Sequence, residues 1–310
     1  MPTLKEIKGR IGSVKSTLKI TSAMKLVSSA KLRKAQNAIA AMRPYEEELR
    51  RMLAMASGAG GVTETVTSPA KKADFAGDMP ENVTSPAVII AVASNSSLCG
   101  GFNANVIAKV RSVRRPGDVV YSIGRKMADA MARDGFSSPS DYSALSEHPA
   151  YAEAAALVEK LAGDFYEGRI SGVTLVYTHF VSTSRQVPVV ESLLHAAGRD
   201  GISSASLRDP IRANAPEMPS LPAEDPSRPI LEPSARELLA ALLPRTLKLK
   251  LYAALLDSAA AEHAARTIAM QTATDNAEDL LAELTLQYNK GRQQKITSEI
   301  LDLAGGQAAE

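Results

Sequence analysis

The last seventy or so residues constrain this chain more than any other feature. Ser234 followed by Glu237 has the spacing of a helix-starting capping box. From there apolar positions run through Leu251, Leu255, Leu256, Leu280, Leu281, Leu284, Tyr288, Ile296, Ile300 and Leu303, and stop at Gly305-Gly306. After Pro244 only Gly291 interrupts the run. At the rise of an α-helix, residues 245–304 span roughly 90 Å, wider than a globular core built by a chain of this size. Part of such a rod must project, and a projecting helix requires a partner.

The first partner is within the chain. Alternating steps of three and four from Leu4 land on Ile7, Ile11, Val14, Leu18, Thr21, Lys25, Ser28, Leu32, Ala35, Ile39, Met42, Glu46, Leu49, Leu53 and Ala56. This heptad seam predicts one long coiled-coil helix over residues 3–57. Pro44 removes a backbone donor, so a bend is expected there. Between Thr21 and Ser28 the seam turns polar, while Ile20, Met24 and Val27 carry an apolar stripe one position earlier. Either the helix rotates locally, or this turn faces a different partner.

Charge along this helix is one-sided. Lys5, Lys8, Arg10, Lys15, Lys19, Lys25, Lys31, Arg33, Lys34 and Arg43 are set against Glu6 alone over the first 43 residues. The whole chain has a net charge of only +2. A solvated face is the ordinary explanation of such a run, but its local excess points to an acidic partner surface. The helix lacks stacking aromatics, which argues against nucleic acid.

Ser57–Pro86, rich in Gly, Pro, Ser and Thr, is expected to be a linker. Residues 87–197 alternate strand and helix signals and predict a parallel or mixed α/β sheet. Strands are expected at 87–93, 118–123, 172–177 and 187–194, and helices at 102–113, 124–134 and 150–166. The run Ala87–Ala93 is apolar throughout, as in a strand covered on both faces. Pro188 suits an edge strand. Residues 198–233 hold seven prolines and form a connector to the final helix. The domain scheme is therefore 1–57, 58–86, 87–197, 198–233 and 234–310.

Chemistry is sparse. The loop Ser94–Gly101 sits where an α/β fold often holds a phosphate, yet it is neither a GxGxxG nor a Walker A loop. A tight turn needing Gly100 and Gly101 is the simpler reading. Cys99, the one cysteine, has no histidine at a telling spacing and reads as a small buried thiol. His148, His179, His195 and His263 have no metal-ligand spacing. No catalytic residues, metal site or cofactor are expected. No apolar run approaches the twenty residues that span a bilayer, and the N-terminus lacks a signal-peptide pattern. The Ala-rich stretch from Ser258 to Ala277 suits close approach of a neighbouring helix.

Lys19-Ile20-Thr21-Ser22-Ala23-Met24-Lys25-Leu26-Val27 with Arg43-Pro44-Tyr45 resembles the N-terminal helix of the γ subunits of F-type ATP synthases. Ser97-Leu98-Cys99-Gly100-Gly101-Phe102-Asn103 resembles their strand-to-helix loop. Glu262-His263-Ala264-Ala265-Arg266, Ala273-Thr274-Asp275-Asn276-Ala277 and Tyr288 to Glu299 resemble their C-terminal helix. The resemblance implies a non-catalytic rotor: an antiparallel coiled coil of the two terminal helices, with a central Rossmann-like α/β domain at its foot. Implied partners are the α and β subunits of the hexamer, the ε subunit and the membrane c-ring. The implied location is peripheral, on the cytoplasmic face of the bacterial inner membrane. Rotor–stator contact is implied for Met24, Lys25, Arg266, Gln293, Thr297 and Glu299. Both long connections exceed the family's usual ones. The rival expectation is a structural coiled-coil protein pairing through its N-terminal helix with its own copy. A second is a nucleotide-dependent enzyme using the Ser94–Gly101 loop.

Overall fold

The computed structural model describes residues 3–59, 85–195 and 234–306. Most of the expected linker and connector therefore lies outside the described residues.

Helix α1 (Leu4–Ala59) starts on a reciprocal cap. The Thr3 amide donates to Glu6 Oε2 at 2.8 Å, and the Glu6 amide donates to Thr3 Oγ1 at 3.3 Å. Two of the four amides that an α-helix leaves unpaired at its start are thus satisfied. The helix continues through Pro44 without a break. Helix α6 (Ala235–Gly306) runs 72 residues, roughly 110 Å, and passes through Pro244. Its cap is the expected one: the Glu237 amide donates to Ser234 Oγ at 3.2 Å.

The two helices pack antiparallel. Leu49 clusters with Leu242 and Leu249, Leu32 with Ala260 and Ala264, and Thr21 bonds Thr274. Leu4 closes on Gly291, where an added Cβ would lie 3.1 Å from Leu4 Cδ2. Every seam position from Leu4 to Ala56 is buried or half-buried.

Between them lies the sheet, β1 (Val88–Val92), β2 (Val119–Ile123), β3 (Gly172–Phe180) and β4 (Gln186–His195), in the order β2-β1-β3-β4. The first three strands are parallel and β4 is antiparallel to β3. Pro188 sits on β4, at an edge of the sheet, where its missing donor is tolerated. Helices α2 (Phe102–Val113), α3 (Arg125–Arg133), the short α4 (Ser143–Glu147) and α5 (Tyr151–Tyr166) complete the unit. The pattern anticipates all but α4, whose single turn carries no periodic signal.

All five residues of β1 are buried, and they split by parity. Ile89 and Ala91 pack with Val106, Val110, Met127 and Met131 of α2 and α3. Val88, Ile90 and Val92 pack with Leu157 and Leu161 of α5 and with Leu251 and Leu255 of α6. The long helix is thus a structural layer of the α/β unit as well as half of the coiled coil. This is why every residue from Leu251 to Arg266 is buried or half-buried, and why so many there are alanine: two neighbours approach one helix from opposite sides.

Gly124, in the turn from β2 to α3, has φ +99° and faces the end of β1. A Cβ there would lie 2.2 Å from the Ala93 carbonyl oxygen. Both the left-handed backbone and the contact exclude a side chain. Gly124→Ala is expected to destabilise the purified chain by about 3 kcal/mol in denaturant unfolding, the sum of positive-φ strain and overpacking; Gly117→Ala, at φ +91° with nothing within 4 Å, is expected to cost less.

Candidate functional site: the shaft surface and its buried joint

The polar stretch of the α1 seam does not rotate. Thr21 and Ser28 stay buried against α6, and Thr21 and Thr274 share a hydroxyl–hydroxyl bond of 2.9 Å. Small polar residues fit here because each hydroxyl has a partner: Thr21 lies 3.1 Å from the Leu18 carbonyl and Thr274 lies 2.8 Å from the Met270 carbonyl. The displaced apolar stripe consequently points outward. Ile20 is 60% exposed, Leu26 70% and Val27 57%, with Met24 and Lys25 half-buried beside them. Of the two readings of the lapse, local rotation is not what the structure shows: among the described residues the apolar stripe stays exposed.

The basic run surrounds that patch. Lys31 lies 3.9 Å from Glu147 of α4, and Arg43 lies 3.3 Å from Glu47. Among the described residues, Lys5, Lys8, Arg10, Lys15, Lys19, Lys25, Arg33 and Lys34 have no carboxylate within salt-bridge distance. A row of cations without intramolecular partners, beside exposed leucine, isoleucine and valine, is a surface suited to an acidic, partly apolar counterpart.

The far end of α6 is equally open. Beyond Gly291 it has passed the start of α1, and among the described residues no helix lies beside it. Gln293, Thr297 and Glu299 are exposed, together with Ile296, Ile300 and Leu301. Thr297 returns its hydroxyl to the Gln293 carbonyl at 2.9 Å, and Glu299 reaches Lys295 at 3.5 Å. Neither contact ties this end to the rest of the fold.

Arg266 is placed differently from these. It is 8% exposed and turned inward. Its guanidinium donates to Glu262 Oε1 at 2.7 Å, to Ser96 Oγ at 2.8 Å and to the Ser97 carbonyl at 3.4 Å. It clamps the β1–α2 loop to the shaft. Burial pushes the Glu262 carboxyl above its usual range, and Arg266 works against that shift. The next residue, His263, is lowered to about 4 by burial, with the cations of Arg266 and Lys31 adding to the effect.

The clamped loop is internally wired. Ser94 offers its amide and hydroxyl to Asn103 Oδ1 at 3.1 and 3.0 Å, and Asn103 Nδ2 lies 3.2 Å from the Cys99 sulfur. Cys99 is 1% exposed, as a structural thiol should be. Leu98 holds φ +67°, a costly conformation for a branched residue, and Gly100 follows at +57°. A cavity of about 230 Å³ opens beside the loop, lined by Gly101, Phe102, Gln186, Pro188, Ala265 and Ile268 among others. No lysine or arginine lines it, so nothing there offsets a phosphate charge. Among the described residues no helix is long and apolar enough to cross a membrane.

Residues 3–309 match the family model described as ATP synthase. The chain is 42% identical over 319 residues to an ATP synthase gamma chain of Phocaeicola vulgatus, covering all of both chains. It is 36% identical over 318 residues to that of Flavobacterium johnsoniae, covering all of this chain and 99% of the relative. A chain from the Euglena gracilis mitochondrial ATP synthase (OSCP/F1/c-ring) superposes with a TM-score of 0.62 at 18% identity, covering 99% of this chain and 94% of that one. A chain from the central stalk/c-ring of the Tetrahymena thermophila enzyme gives 0.53 at 20% identity, covering 82% and 99%.

His263 gives the joint a pH dependence. Its folded value lies below the ordinary value near 6.5, so the folded state binds that proton more weakly than the unfolded state. Its stabilising contribution is complete above 6.5 and is lost as pH falls towards about 4. Glu262, shifted upward, acts in the opposite sense. Denaturant unfolding of wild type and His263→Gln is expected to show a difference that narrows, then reverses in favour of the variant, between those two pH values.

Proposed function

The chain belongs to the ATP synthase gamma-chain family, and from that premise we propose how its surfaces are used. It is the central-stalk subunit of an F-type ATP synthase. The proposal is that the α1–α6 shaft turns inside the hexamer of α and β subunits, with the α/β unit at the foot against the ε subunit and the c-ring. In this reading the chain holds no catalytic residue: it couples proton flow to ATP synthesis or hydrolysis at the β subunits, on the cytoplasmic face of the bacterial inner membrane. The fivefold division of the chain into shaft, linker, foot, connector and shaft belongs to the same proposal.

One observation carries it: the seam of α1 is satisfied by α6, yet an apolar stripe and a row of unpaired cations remain outside. A homodimer formed through the N-terminal helix would need that seam, and α6 occupies it within the chain. What is left over is a surface for a different molecule.

Three chemically identical sites differ only if something asymmetric touches them differently. Shifting one site from mostly open to mostly closed requires about 5.5 kcal/mol of differential contact energy. A single exposed ion pair supplies about 0–1 kcal/mol. The bias must therefore come from many contacts and from shape, with charge tuning it. We assign Met24, Lys25, Gln293, Thr297 and Glu299 to direct rotor–stator contact. Arg266 belongs to the same proposal indirectly: its guanidinium is committed to Glu262 and the Ser96–Ser97 loop, so it holds the contact surface rather than forming it.

Met24→Lys puts a third cation-bearing side chain beside Lys19, Lys25 and the apolar stripe, and desolvating it in a contact is costly. Lys25→Ala removes one screened charge. ATP-driven proton pumping in inverted membranes, normalised to ATP hydrolysis, is expected to fall more in Met24→Lys than in Lys25→Ala; equal pumping in both would count against the assignment. Copurification at one copy of this chain per three β subunits tests the assembly itself.

A further inference from the structure

Where the end of β3 meets α6, the contact is made by one short side chain. Asp257 Oδ1 accepts the Phe180 amide at 3.0 Å, and Asp257 Oδ2 bonds His179 Nδ1. Two consecutive residues of the foot are thus held by the two oxygens of one shaft carboxylate. The groups are mostly shielded, with the Asp257 and His179 side chains 17% and 23% exposed. The Phe180 ring continues the contact, packing on Ala260 and Ala264 on one side and on Cys99, Phe102, Ala261 and Ala265 on the other.

Apart from the Arg266 clamp on the Ser96–Ser97 loop, the other polar ties between foot and shaft are softer. Lys248 reaches Glu159, whose side chain is 63% exposed. Lys250 reaches Glu191 at 3.2 Å and the Ser192 carbonyl at 3.2 Å through a flexible four-carbon stem. Asp257 has a short stem, and one of its partners is a backbone amide that cannot rotate away.

This matters because apolar contact and hydrogen bonds resist different motions. Apolar burial opposes separation of two surfaces but has no preferred direction. A hydrogen bond weakens steeply when its angle is bent, so it opposes sliding and twisting. The α6 surface under Phe180 is alanine, smooth and shallow. At that point apolar contact alone would resist twisting little, and the remaining restraint comes from Leu251 and Leu255 in the core and from the Arg266 clamp.

We propose that Asp257 is a positioning residue that pins the foot against rotation about the shaft, so that angular displacement of one is transmitted to the other. The inference rests on the rotor reading above. It assigns to Asp257 torsional stiffness, not a contact with nucleotide or with the ring.

The test uses the assembled complex of α, β and this chain. Two quantities are measured: hydrogen exchange at the Phe180 amide, and the angular variance of a bead on the α/β unit while the shaft is stalled by nucleotide in the ring. Asp257→Ala is expected to accelerate exchange at Phe180 about tenfold or more, since a charge-assisted bond is removed. It is expected to widen the angular variance roughly twofold, while ATP hydrolysis, which proceeds without load on the foot, stays near wild type. Asp257→Asn keeps the Phe180 acceptor and the shape, and is expected to fall between the two. Lys248→Ala, the exposed tie, is expected to leave the variance unchanged. Unchanged variance in Asp257→Ala despite accelerated Phe180 exchange overturns the pin. Unaltered exchange overturns the contact itself. Failure of the wild-type chain to assemble with α and β overturns the rotor reading instead, a distinct result.

Discussion

Everything in this structure depends on one helix being packed from two sides. Between Leu251 and Arg266, α6 is at once the partner of α1 and a layer on the sheet. Burying a leucine or isoleucine contributes about 1.5–3 kcal/mol, whereas an exposed ion pair contributes about 0–1. The joint is therefore held by Leu251, Leu255, Leu32 and Phe180 rather than by its visible charges. The charges determine direction and position. Alanine is the price of this arrangement: Ala254, Ala260, Ala261 and Ala264 contribute little area each, but larger residues would force one of the two neighbours away.

The same constraint explains what the rest of α6 can do. Once the sheet has used Leu251 and Leu255 and α1 has used Ala260 to Leu284, the helix has no further partner among the described residues. Its final turns carry Ile296, Ile300 and Leu301 into solvent. A segment this long, helical and unpaired is marginal in isolation, because most helix stability in proteins comes from packing. Its continuity with the buried portion supports the unpartnered turns, and an enclosing partner would complete them.

The seam of α1 was readable because a heptad period is a local property of sequence: each seam position from Leu4 to Ala56 is at least half-buried, as its spacing indicates. The β1 run and its two-faced burial were readable for the same reason. What escaped was long-range. Nothing near Arg266 reveals that its hydrogen-bond partner is Ser96, 170 residues away; the resemblance implied only a rotor–stator contact for it. Asp257 lies 77 residues from Phe180 and carries no local signature at all. The strand ending at Phe180 rather than Tyr177 belongs to the same class, since its last residues are held by β4 and by the shaft and not by their own apolar pattern.

The polar lapse at Thr21 to Ser28 shows how a sequence ambiguity resolves. A rotated helix would bury Ile20 and Val27 and expose Thr21 and Ser28. The structure does the reverse, leaving two large apolar side chains in water while two hydroxyl-bearing ones are enclosed. Taken alone that exchange is unfavourable by about 1.5–3 kcal/mol for each large side chain left exposed. The neighbouring seam, with Leu18 above and Leu32 below, fixes the register more strongly than this one turn can oppose, and the Thr21–Thr274 bond offsets the cost of enclosing the Thr21 hydroxyl. The apolar stripe is thus held outward by the rest of the coiled coil. A patch maintained against its own hydration preference is a surface the fold keeps available, and the unpaired lysines around it state which sign of charge it is kept available for.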